Sequence, residues 1–158
     1  MVTIVYSTRR DSTEKIAKEI AAGLGKASVC NLSQELPKRL DNFVVVGSPI
    51  YYEKPLPEVI EFLKKNDYLS GKRVAVFIVC LAPAVGKLGR KLITCYFAMM
   101  KKNIKGEIVS ERVFMGWLLR ENERALKEAR LWGEELRRIL FTDPVRENGR
   151  CEEDFGKC

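Results

Sequence analysis

At 158 residues, with 46% hydrophobic and 31% charged side chains, the chain has the composition of one globular domain, and no run approaches the ~20 apolar residues of a membrane-spanning helix. It holds no histidine, which excludes Ser–His and Cys–His nucleophilic pairs and imidazole metal ligation, and its five cysteines lack metal-ligand spacing. Demanding chemistry therefore falls to a cofactor, while the net charge of +7 suits acidic partners, nucleic acid or an anionic membrane surface.

Val2 to Tyr6 read as a buried strand, with no basic leader before them, so a cytoplasmic location is expected. A loop follows, Ser7-Thr8-Arg9-Arg10-Asp11-Ser12-Thr13, and then a helix over 12–24 with Ile16, Ala17, Ile20, Ala21 and Leu24 on one face. Asp11 and Glu14 read as a capping box, and Gly25 as the stop. Strands are expected at 27–32 and 43–47. Pro55 or Pro57 opens a helix over about 56–66, with Leu56, Val59, Ile60 and Leu63 inward. Residues 73–79 form the most apolar strand. A long helix at about 84–103, a strand at 107–115 and a charged helix at about 120–140 complete a domain of residues 1–140; a tail over 141–158 begins at Phe141. Five strands alternating with helices predict a doubly wound α/β domain, a parallel sheet with helices on both faces.

In such a sheet, ligands bind beyond the carboxyl ends of the strands, at loops 7–13, 48–55 and 80–87. The first loop packs four hydroxyls and two arginines into seven residues at a helix start, the donor set for a phosphate. In the second, Ser48-Pro49-Ile50-Tyr51-Tyr52 offers aromatic faces. Adjacent tyrosines in an extended loop point opposite ways, so one lies on a flat ring while the other packs or edges it. The third, Cys80-Leu81-Ala82-Pro83, is small and apolar, and its backbone N–H groups suit ring carbonyls. Together these loops suggest a phosphorylated planar cofactor.

The loops resemble those of the flavodoxin-like family of FMN-binding proteins. Ser7-Thr8-Arg9 with Ser12-Thr13 is similar to the family's hydroxyl-rich phosphate loop. Gly47-Ser48-Pro49-Ile50-Tyr51-Tyr52 is similar to the segment beside the isoalloxazine ring. The Ser-Thr-Arg form is closest to the flavodoxin-like protoporphyrinogen oxidases. The resemblance implies five parallel strands in the order 2-1-3-4-5 and FMN held without a covalent bond. Its phosphate would lie in 7–13 and its ring between 48–52 and 80–83. It also implies electron transfer to a quinone, a tetrapyrrole precursor or a protein partner. This chain departs from the pattern at Arg10 or Asp11, where the family usually has glycine, and at Glu53, where glycine is frequent. The alternative is a cofactor-free flavodoxin-fold domain kept for protein interaction.

Other classes fit less well. A receiver domain needs acidic residues where Tyr6-Ser7 and Gly47-Ser48 stand, and a P-loop needs a glycine spacing that Gly86-Lys87 and Gly89-Arg90 lack. Cations in 120–138 alternate with acids, which argues against nucleic acid. The expected helix carrying Ile93, Tyr96, Phe97, Met99 and Met100 is apolar on more than one side and suits a homodimer contact. Cys30 and Cys95 are expected to pack as small hydrophobes, Cys80 to fall beside the ring, and Cys151 with Cys158 to flank a short acidic stretch.

Overall fold

Short apolar runs rich in valine and isoleucine form strands, and the 3.6-residue patterns between them form helices. The computed structural model describes residues 1–65 and 68–142. In chain order it contains β1 (Val2–Tyr6), α1 (Asp11–Leu24), β2 (Ala27–Asn31), β3 (Phe43–Tyr51), β4 (Lys54–Pro55) and α2 (Pro57–Lys64). These are followed by β5 (Arg73–Cys80), a 3-10 turn (Ala82–Val85), α3 (Gly86–Lys101), β6 (Glu107–Met115) and α4 (Glu123–Thr142).

Five parallel strands run in the order β2-β1-β3-β5-β6. This is the expected doubly wound sheet, with one strand unforeseen: β4 folds back antiparallel on the end of β3. Alternate side chains of each strand point to opposite faces, so the apolar strands feed two cores. On one face Val44, Val46, Val76 and Ile78 pack with Val59, Phe62, Leu63, Tyr96, Phe97 and Met100 of α2 and α3. On the other, Ile4, Val45, Phe77 and Phe114 pack with Ile16, Ile20, Trp132 and Leu136 of α1 and α4. There the Phe77, Phe114 and Trp132 rings meet edge to face, with centroids 5.8–6.2 Å apart. Glycines set the closest contacts. A Cβ on Gly133 would lie 2.3 Å from the Ile20 carbonyl oxygen, and one on Gly47 2.0 Å from the Phe77 ring.

Several local expectations are corrected. The helix α1 begins at Asp11 with Arg10 as its N-cap (φ −135°, ψ 162°), and no side chain caps it, so the Asp11/Glu14 capping box is absent. Asp11 lies one residue inside the position from which a side chain folds back onto the first-turn amides. The Gly25 stop is present, at φ 84° with its N–H on the Ala21 carbonyl. Pro57 rather than Pro55 opens α2, since Pro55 is taken by β4. Cys95 is exposed because the inward face of α3 is occupied by Tyr96, Phe97 and Met100. Phe141 extends the last turn of α4 instead of starting a tail; the remaining tail residues, with Cys151 and Cys158, lie outside the described residues. Among the described residues no helix is long and apolar enough to cross a membrane.

Candidate functional site

The loop after β1 meets the start of α1 at the carboxyl edge of the sheet. Not all of its donors remain available. The Ser7 hydroxyl is buried against that of Ser33 at 2.6 Å, and Thr8 donates to the Arg10 carbonyl. Arg9 turns across to α2 and pairs with Glu58. Arg10 and Ser12 stay at the site, where both line a cleft of about 170 Å³. Asp11 is exposed. Thr13 is fully buried, and its Oγ1 has no hydrogen-bond partner. A hydroxyl buried without a partner costs about 1–3 kcal/mol. With α1 uncapped, this turn keeps amide and hydroxyl donors that the protein itself does not satisfy.

The second segment extends β3 through Tyr51. The Ser48 hydroxyl points into the protein, donating to the Pro49 carbonyl (2.8 Å) and accepting from the Leu56 N–H (2.9 Å), and so ties β3 to the start of α2. Pro49, Ile50 and Tyr51 line the same cleft as Arg10 and Ser12. Tyr51 pairs with Lys54 across a two-residue turn, Tyr52-Glu53, in which both residues have positive φ (50° and 62°). This is the backbone of a type I′ hairpin, which normally selects Asn-Gly. It turns Tyr52 out to 96% exposure, so of the two tyrosines it is Tyr51 that faces the cleft. Glu53 accepts a hydrogen bond from the Tyr96 hydroxyl of α3. Burial, and then the Glu53 carboxylate, push the Tyr96 phenol up to about 12.

In the third segment, Cys80 and Leu81 close the cleft. They also border a second one of about 280 Å³, shared with Tyr52, Ala82 and Tyr96. Burial raises the Cys80 thiol above its ordinary value, so it sits there as an apolar wall and not as a thiolate. Pro83 is not part of this group; it lines a separate cavity with Val113 and Met115.

Four lining residues escaped the sequence reading: Val79 near the end of β5, and Gly116, Trp117 and Leu118 just beyond β6. The rule that ligands gather beyond strand ends applies equally to this fourth loop, and its tryptophan was the available signal. The cleft thus joins the α1 N-terminus, Tyr51, Cys80 and Trp117, and among the described residues its lining carries one cation and no carboxylate. Unsatisfied donors at one end and flat apolar surface beside them fit a phosphate joined to a planar ring.

The sequence matches the model of the flavodoxin domain family over residues 3–128. No curated protein matches it. Solved structures are similar in fold at low identity. An NAD(P)H:quinone oxidoreductase from Methanothermobacter marburgensis aligns with TM-score 0.67 and 13% identity, over 85% of this chain and 94% of its own. Oxidised flavodoxin 1 from Bacillus cereus gives 0.63 and 14%, over 85% and 95%. A short-chain flavodoxin associated with a non-canonical PDU bacterial microcompartment gives 0.61 and 20%, over 88% and 99%.

Proposed function

The chain belongs to the flavodoxin domain family, and on that premise we propose that it is a redox protein that binds FMN without a covalent bond. The observation that carries this reading is the buried, unpartnered Thr13 hydroxyl in the first turn of an uncapped helix. In this reading Ser12, Thr13, Arg10 and the first-turn amides of α1 hold the phosphate. Tyr51 and Trp117 offer flat surface to the ring, and Cys80 and Leu81 exclude water from its edge. FMN, when bound, supplies reversible electron transfer. A net charge of +7 stabilises the negative charge that two-electron reduction adds, and so raises the potential. The acceptor is a quinone, a tetrapyrrole precursor or a protein. The Ser7-Thr8-Arg9 resemblance supports the second, and the solved quinone oxidoreductase makes the first worth testing.

The test is the absorbance spectrum of purified protein before and after addition of FMN and desalting. Flavin bands that stay with the protein are expected. A protein that remains colourless after incubation with FMN would overturn the reading and leave the cofactor-free interaction domain. With FMN bound, acceptors are then compared by the rate at which each reoxidises the reduced protein.

A further inference from the structure

A groove of about 410 Å³, separate from the cleft, is bordered by β4, α2 and α3. Its floor is apolar, with Pro55, Ile60 and Met99, and its rim carries Lys54, Lys64 and Lys102. Among the described residues no carboxylate lines it. The three lysines come from three places in the fold: β4, the end of α2 and the residue after α3. All three are exposed, and none has an ion-pair partner among the described residues. Three lysines outside the groove do form ion pairs: Lys15 with Glu121, Lys18 with Glu14 and Lys101 with Glu111. The bordering helix α3 contains no acidic residue at all.

Like charges gathered around apolar surface repel one another, and that field is relieved by bound carboxylates. We propose that this groove docks an acidic segment of a partner protein. Carboxylates of the segment sit on Lys54, Lys64 and Lys102, and an apolar side chain sits against Ile60 and Met99. A protein segment fits better than a lipid surface because the site is concave. A bilayer can touch the rim but leaves the floor unfilled, whereas a side chain fills it and a methionine floor adapts to its shape. Lys54 adjoins the Tyr52-Glu53 turn, so the docked segment lies against the hairpin that borders the cleft. This inference stands whether or not the cleft holds FMN.

The test begins with short random peptides displayed on phage and selected against the full chain. Selected sequences are expected to carry several Asp or Glu residues around an apolar residue. The combined variant Lys54→Glu, Lys64→Glu, Lys102→Glu should bind them at least tenfold more weakly, and Met99→Ser several-fold more weakly at unchanged charge. A control that reverses Lys18, Lys26 and Lys127 on the opposite face alters net charge equally and should retain binding. Circular dichroism verifies the fold of each variant, and the Met99→Ser and control proteins keep the test decisive if the triple variant fails to fold. Selection that yields no peptides or no acidic enrichment, or equal loss in the control, would overturn the proposal. Binding of phosphatidylserine vesicles through these three lysines, without peptide binding, would overturn it in favour of a membrane contact.

Discussion

The Tyr96 hydroxyl donates to the carboxylate of Glu53, and so joins α3 to a turn in which neither residue is glycine although both have positive φ. Left-handed backbone costs a non-glycine residue about 1 kcal/mol or more, and the hydrogen bond from a buried tyrosine offsets part of that cost. Tyr96→Phe should therefore destabilise the protein by about 1–2 kcal/mol in chemical denaturation. The pH dependence has a definite sign. The phenol is raised from 10.0 to about 12 in the folded state, so its stabilisation is complete below pH 10 and is lost as pH climbs towards 12. The loss amounts to at most about 3 kcal/mol. The wild type should lose stability over that window more steeply than Tyr96→Phe. Parallel slopes would remove Tyr96 from the account.

Thr13→Val separates stability from binding. It replaces a buried, unpartnered hydroxyl with a methyl group of similar volume. The ligand-free protein should gain about 1 kcal/mol, while affinity for FMN should fall roughly tenfold or more, the loss of one hydrogen bond from a neutral donor to a charged phosphate. Equilibrium unfolding and fluorescence titration with FMN measure the two effects. A loss of stability, or unchanged FMN affinity, would show that Thr13 Oγ1 does not face the ligand.

Arg9 is held by Glu58, whose second carboxylate oxygen is buried without a partner. The pair is partly exposed, so breaking it should change stability by less than about 1 kcal/mol. Glu58→Gln removes a negative charge from the neighbourhood of the phosphate loop and releases the guanidinium. FMN should bind several-fold tighter, with a steeper dependence on salt. Weaker binding would mean that the pair itself builds the site.

Core packing opposite the groove gives the largest expected losses. Trp132→Ala removes the ring that packs edge to face against both Phe77 and Phe114, together with an indole N–H that donates to Ser110 at 3.1 Å. It should cost about 3–5 kcal/mol. Gly133→Ala should cost about 1–3 kcal/mol, because its Cβ would meet the backbone of α1. That exceeds the roughly 1 kcal/mol gained in helix propensity. A more stable Gly133→Ala protein would show that the helices part easily.

Strand and helix order was readable in the sequence because a doubly wound sheet separates its signals. Val44, Val45 and Val46 mark a strand covered on both faces, and Ile16, Ala17 and Ile20 mark one side of a helix. Residue type alone pointed to the Ser12-Thr13 cluster and to one of two adjacent tyrosines, and left open whether that was Tyr51 or Tyr52. What remained hidden depends on distant partners. Nothing in the loop's composition shows that Ser7 meets Ser33, that Ser48 supports residue 56, or that Arg9 reaches Glu58. The β3–β4 hairpin was also illegible, because Tyr52-Glu53 is the opposite of the Asn-Gly signal by which such turns are found.

β1 is bonded on both edges, to β2 along one and to β3 along the other. Both partners are translated after it. As the chain leaves the ribosome, Val2-Thr-Ile-Val-Tyr6 is thus an apolar strand whose two open edges stay unmatched until residues 27–31 and 43–47 have also emerged. Synthesis order and sheet order run against each other here. A segment that ends inside the finished sheet, paired on both edges, is during biogenesis the one most exposed to pairing with the wrong chain.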